Sequence, residues 1–345
     1  MEMDLNEIKG ILQNHLSDGL TVIVGSGLSC AEGMPGMGKL ADHIIDMASA
    51  HAVLSNDSNW NNISKSIQTD GLEAAFLKHQ LSRDMEQCII DITADFLIPF
   101  ETQILQEVIC GTRKLRFARL LQHLIKPNTG IPIVTPNYDR LIEVACEEAG
   151  LGVNTMFCGD YMGKLNERES RHSLCRDVKT VQKKAKLIFR DHARVYKPHG
   201  SFDWYSKDGA PVRYMGNLKL PRLIITPGVN KYRNGYESPF DRHREKANEA
   251  IDKASRYLII GYGFNDDHLE TRLKQAISSG KPTVLLTQKI SVTALELISK
   301  YSSFVALEEA VGTPGTRFLS KELDIMLPGC NFWDLNGFIE EVLKP

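Results

Sequence analysis

Apolar residues at the start of the chain are spaced for a helix. Leu5, Ile8, Ile11, Leu12 and Leu16 recur at three- and four-residue intervals, which places them on one side of a helix over residues 4–17. The period then changes. Residues 20–25 (LTVIVG) form a short continuous apolar run ending in glycine, as expected of a strand buried on both faces. From about 38 to 125 the spacing is again mostly helical. It is best defined over 84–109 (DMEQCIIDITADFLIPFETQILQEVI), where Pro99 is expected to kink or divide the helix. Residues 131–135 (IPIVT) give a second buried strand between Gly130 and Pro136, and 141–150 (LIEVACEEAG) a helix stopped by glycine. The tract 163–184 is polar and reads as a solvated surface loop. Further strands are expected at 186–190, 194–197, 222–226, 257–263, 283–287 and near 303–307. Helices are expected over about 239–254, 266–278, 292–301 and 333–343.

Short, fully apolar strands alternating with helices predict an α/β fold, a Rossmann-like doubly wound and mostly parallel sheet covered on both faces. The chain reads as a single domain over 1–345. Residues 20–37 and 126–310 form its core, 38–125 a helical insertion and 311–345 a C-terminal helical extension. Composition adds exclusions. The formal net charge of −2 gives no basic field for nucleic acid, and no apolar run reaches the length of a membrane span. The first residues, MEMDLNEIKGILQNHL, are acidic and amphipathic rather than basic then apolar, so no secretory signal is expected, and the scattered cysteines suit a reducing cytoplasm. Seven cysteines occur without any C-x-x-C, which argues against a zinc ribbon and a disulfide framework; no metal is expected.

In an open parallel sheet, ligands bind beyond the carboxyl ends of the strands. Those ends carry Gly25-Ser26-Gly27-Leu28-Ser29, Thr135-Pro136-Asn137-Tyr138-Asp139, Pro198-His199-Gly200-Ser201, Thr226-Pro227-Gly228 and Gly261-Tyr262-Gly263-Phe264-Asn265-Asp266. The first is neither a dinucleotide fingerprint, which would need glycine where Cys30 stands, nor a P-loop. Taken singly, each has a plain reading. Gly25 and Gly27 suit a tight strand–helix connection, Asn137 a helix N-cap with Asp139 at the positive helix end, His199 a turn, and Asp266 another cap. Together they suit a dinucleotide crevice, with a diphosphate at Gly25–Gly27 and directed hydrogen bonds from Asn137, Asp139 and His199.

These residues resemble the sirtuin family. GSGLS at 25–29 resembles the sirtuin Gly-Ala-Gly-x-Ser turn, and AEGMP at 31–35 the Ala-Gly-Ile-Pro that follows it. TPNYD at 135–139 resembles Thr-Gln-Asn-Ile-Asp, PHGS at 198–201 resembles His-Gly-Ser, and GYGFNDD at 261–267 stands where sirtuins have Gly-Thr-Ser. Two features depart from sirtuin deacylases. Residues 201–222 contain no cysteine where those enzymes carry a zinc module, and Gly36-Met37-Gly38 replaces their Asp-Phe-Arg. The Pro-His-Gly, Ile-Thr-Pro-Gly and Gly-Tyr-Gly-Phe-Asn-Asp forms look like the sirtuin-like branch of bacterial anti-phage defence proteins. That resemblance implies an NAD glycohydrolase that depletes NAD, acting as a homo-oligomer with a HerA-type ATPase or another defence subunit. By the same resemblance, Asn137 positions the water and a ribose hydroxyl, His199 acts as general base and Asp139 holds the nicotinamide carboxamide. Gly25, Ser26, Gly27 and Ser29 then cradle the diphosphate, beside Thr135, with Gly261, Gly263 and Asp266 on the adenosine side. An acyl-lysine deacylase, an ADP-ribosyltransferase and a non-catalytic NAD- or ADP-ribose-sensing module are the alternatives.

Overall fold

The computed structural model describes residues 4–181, 184–226, 237–264 and 267–344. The strands among them are β1 (Leu20–Val24), β2 (Ile131–Val134), β3 (Gly152–Asn154), β4 (Phe157–Cys158), β5 (Gly163–Leu165), β6 (Cys175–Val181), β7 (Lys184–Phe189) and β8 (His192–Tyr196). They continue with β9 (Gly200–Lys207), β10 (Ala210–Arg213), β11 (Arg222–Ile224), β12 (Arg256–Ile260), β13 (Thr283–Thr287), β14 (Phe304–Glu309), β15 (Gly315–Leu319) and β16 (Asp324–Pro328). Nine of these form one sheet in the order β16-β15-β14-β13-β12-β1-β2-β8-β3. The run from β14 to β3 is parallel throughout, as expected.

Burial on both faces explains why the strands read as unbroken apolar runs. In β1, Val22 and Val24 enter one core while Ile23 enters the other. The same division separates Leu258 and Ile260 of β12 from Tyr257 and Ile259. The first core is closed by the helix Leu5–His15, the helices between β1 and β2, and the helix Leu141–Glu148. The second is closed by the helices Phe240–Lys253, Asp267–Ser278 and Val292–Lys300. Strand β1 lies at the switch point, with β2 on one side and β12 on the other. The segments after β1, β2, β8 and β12 therefore emerge at one edge of the sheet.

Four expectations are corrected. Pro99 does not divide its helix, which runs from Arg83 to Ile109. Buried Ile89, Ile92, Leu97 and Ile104 anchor both sides of the proline, and this packing offsets the backbone hydrogen bond that proline removes. The polar tract 163–184 holds β5, the helix Glu167–His172 and β6, and β6 pairs with β7 in a hairpin. Because β6 is almost wholly exposed, it lacks the apolar signal by which a strand is read. Strand β11 lies outside the parallel sheet and pairs antiparallel with β9 in a second sheet of order β11-β9-β10-β5-β4. Finally, residues 311–345 are not wholly helical. They add β15 and β16 antiparallel to the edge at β14 before the short helical turns Leu335–Phe338 and Ile339–Leu343.

Candidate functional site

The glycines after β1 and β12 bring two backbones into direct contact. The Gly25 N–H donates to the Ile260 carbonyl at 2.9 Å, and the Gly27 N–H to the Gly261 carbonyl at 2.9 Å. A Cβ on Gly25 would stand 2.3 Å from the Gly261 oxygen, and one on Gly27 would stand 2.7 Å from the Gly261 Cα. Gly261 itself has φ of +58°, which suits glycine. The Gly25 and Gly27 amides are thus used in joining the ends of β1 and β12.

Beside this junction lies a cavity of about 210 Å³. Ser26, Ser29, Asn137, Asp139, His199 and Gly263 line it, so four separate strand ends converge there. Gly25, Gly27, Thr135 and Gly261 are not among its lining residues, and Asp266 lies outside the described residues. Sequence reasoning missed the opposite wall, where the helical block contributes Met37, Leu40, Glu73 and Leu97. Met37, Leu40 and Leu97 read as ordinary apolar helix positions and Glu73 as an acid in the first turn of its helix, so no signal in the sequence marked them. Phe202 also lines the cavity, whereas Pro227 and Gly228 lie outside the described residues.

Asn137 does not cap the following helix. Arg140 occupies the N-cap position of Leu141–Glu148 and supplies no side-chain cap. Instead, Asn137 Nδ2 donates to the Gly25 carbonyl at 3.0 Å and to Ser29 Oγ at 2.9 Å. Ser29 Oγ in turn donates to Asp139 Oδ2 at 2.8 Å, and Asp139 Oδ1 accepts the Leu141 N–H at 3.2 Å. Thr135 Oγ1 accepts the Asn137 N–H at 3.1 Å. Both Nδ2 hydrogens are therefore committed, which leaves the Asn137 amide oxygen as its remaining polar group for a ligand. His199, also buried, accepts the Ile225 N–H on its carbonyl at 2.9 Å, tying the second sheet to the site.

Charged groups are buried behind this turn. Lys197 is 0% exposed, with its ammonium 3.0 Å from Glu143. Burial pushes the Glu143 carboxyl above its ordinary range, against the pull of Lys197. Glu101, also 0% exposed, forms an ion pair with Arg140. Among the described residues, no group of three or more His, Cys, Asp or Glu is arranged to hold a metal ion. No helix among them is long and apolar enough to cross a membrane.

Two buried histidines give the fold an acid limit. Burial, reinforced by the nearby Lys197 charge, lowers His243 from 6.5 to about 3. Burial also lowers His15 from 6.5 to about 4, despite its 2.7 Å hydrogen bond with the Tyr257 carbonyl. As pH falls below 6.5, the unfolded chain binds protons that the folded chain does not, so stability drops, down to about pH 4 for His15 and about pH 3 for His243. The urea midpoint is expected to fall between about pH 7 and 5, less steeply in His15→Gln or His243→Gln. Equal pH slopes in all three proteins would contradict this assignment.

Most of the strand ends that converge on the cavity lie in one stretch of the chain, and comparison with known families matches that stretch. Residues 132–302 match a SIR2-like domain. Within this SIR2-like segment fall Thr135, Asn137, Asp139, His199, Gly261 and Gly263, while Gly25–Ser29 precede it. Among solved structures, a SIR2 homologue–NAD complex is similar at 11% identity, covering 88% of this chain and 88% of that chain with a TM-score of 0.39. Sir2Tm bound to a propionylated peptide is similar at 13% identity, covering 84% of this chain and 89% of that chain with a TM-score of 0.40. No curated protein sequence matches the chain.

Proposed function

We propose that this SIR2-like site binds NAD and hydrolyses the bond between nicotinamide and ribose. The observation that carries the reading is the hydrogen-bonded chain Asn137–Ser29–Asp139 on the same cavity as His199, at the switch point of a parallel sheet. The reaction is NAD plus water giving nicotinamide, ADP-ribose and a proton. The C–N bond breaks with both electrons leaving on the nicotinamide nitrogen, which departs neutral and needs no strong acid. Positive charge develops on the ribose, as in other glycoside cleavages. The Asn137 amide oxygen is suited to hold the attacking water or a ribose hydroxyl, and His199 to accept the water proton. Asp139 adds fixed negative charge beside the developing cation, although both its oxygens are already bonded. Ser26 and Ser29 line the cavity, and they, rather than the committed amides of Gly25 and Gly27, are the groups suited to meet a diphosphate.

Deacylation of acyl-lysine is the competing chemistry on a SIR2-like domain. The cysteine-free segment 201–222 and Gly36-Met37-Gly38 after Pro35 favour water as the acceptor. An acylated-lysine peptide separates the two readings. NAD consumption at one rate with and without the peptide is expected, and consumption only with peptide would replace hydrolysis by deacylation. Roles in anti-phage NAD depletion, homo-oligomerisation and pairing with a HerA-type ATPase are proposed on the motif resemblance alone.

A further inference from the structure

The turn that carries Asn137 and Asp139 is gripped through a single peptide unit. The N–H of Arg140 donates to Glu101 Oε1, while the carbonyl of Asp139, the other half of that peptide, accepts a hydrogen bond from the Lys197 ammonium. Both gripping side chains are 0% exposed. Each is itself braced. The Arg140 guanidinium returns to both Glu101 oxygens through Nε at 3.1 Å, and its Nη1 donates to the Met215 carbonyl at 2.9 Å. Lys197 is held by Glu143 at 3.0 Å. A carboxylate thus faces the N–H end of the peptide and an ammonium the carbonyl end, an arrangement that favours one orientation of its dipole. Rotating this peptide would turn the Asp139 carbonyl toward Glu101 and cost each buried charge one of its hydrogen bonds, leaving Glu101 only the Arg140 guanidinium and Lys197 only Glu143.

We infer that Glu101 and Lys197 are positioning residues, which lock the Asp139–Arg140 peptide and so fix the Asn137 amide and the Asp139 carboxylate at the cavity. Glu101 comes from the helix Arg83–Ile109, so the helical block sets the geometry of the site as well as its wall. Buried ion pairs are often replaceable by apolar residues without loss of stability, so orientation is the property they best supply here. The catalytic consequence rests on the NAD-cleavage reading; the locking of the peptide does not.

The test uses the full chain with Glu101→Gln, which keeps size and one acceptor oxygen, and Lys197→Met as a second, independent variant. Amide exchange is measured in peptides spanning 136–141 and in β13, together with kcat and KM for NAD. Exchange over 136–141 should rise and kcat fall about tenfold, with KM changed less than about threefold and β13 unaltered. Glu101→Asp, which restores the carboxylate, should recover part of kcat. Unchanged exchange over 136–141, an equal rise in β13, or full kcat despite faster local exchange would overturn the inference. Faster local exchange in both variants, with no NAD cleavage even by the wild type, would leave the clamp standing and remove the NAD reading.

Discussion

Asn137→Ala is expected to lower NAD cleavage at least about 100-fold, and His199→Ala to do the same, while both proteins remain folded. Asn137 is placed by two donated bonds, to the Gly25 carbonyl and Ser29 Oγ, so its amide joins the ends of β1 and β2 at the cavity. Alanine removes those bonds and leaves the Gly25 carbonyl without that donor. The stability cost should be about 1–3 kcal/mol, well short of unfolding a domain of this size. The activity loss should exceed it because the oxygen that orients water is lost as well. His199→Ala removes the proton acceptor and leaves the carbonyl bonded to Ile225 in place. Full turnover by both variants, under conditions where the wild type is active, would remove these residues from the chemistry.

Gly25→Ala should destabilise the protein by about 3 kcal/mol and abolish NAD binding. Its Cβ would meet the Gly261 oxygen at 2.3 Å and the Tyr262 Cα at 2.5 Å, both backbone atoms that no side-chain rotation can move aside. Relief requires the ends of β1 and β12 to separate, which displaces Ser26 and Ser29 on one side and Gly263 on the other. Gly10→Ala is the contrasting control. Nothing lies within 4 Å of a Cβ there, inside the helix Leu5–His15, so the substitution should add about 1 kcal/mol of stability. Equal denaturant midpoints for the two variants would contradict the close-approach role of Gly25.

These glycines show how the sequence is informative and where its meaning shifts. The G-x-G turn after an apolar strand sits beside the cavity, which Ser26 lines while Gly25 and Gly27 do not. Its physical reason is different from a phosphate cradle, because the glycine amides meet another strand end. Asn137 and Asp139 stand just past the apolar run of β2, and His199 follows β8 after Lys197-Pro198; their place at strand ends drew attention to them, and all three line the cavity. Glu101 was not legible. It occupies the buried stripe of its helix between Leu97 and Ile104, where an isolated charge among apolar residues was the available signal. Lys197 ends the β8 run (RVYK) and reads as a strand terminus turning to solvent, although it is wholly buried. Strand β9 escaped because Ser201, Asp203 and Ser206 interrupt its apolar residues, and its place in a second sheet depends on pairing partners distant in the chain.

The central claim is that water, and no acylated or other macromolecular acceptor, receives the ribosyl group in this cavity. Quantifying nicotinamide and ADP-ribose together, from NAD incubated with the purified protein alone, tests it most directly. Equal amounts of the two products, growing in step as NAD disappears, are predicted. Nicotinamide released without matching ADP-ribose, or NAD bound yet left intact, would contradict the account.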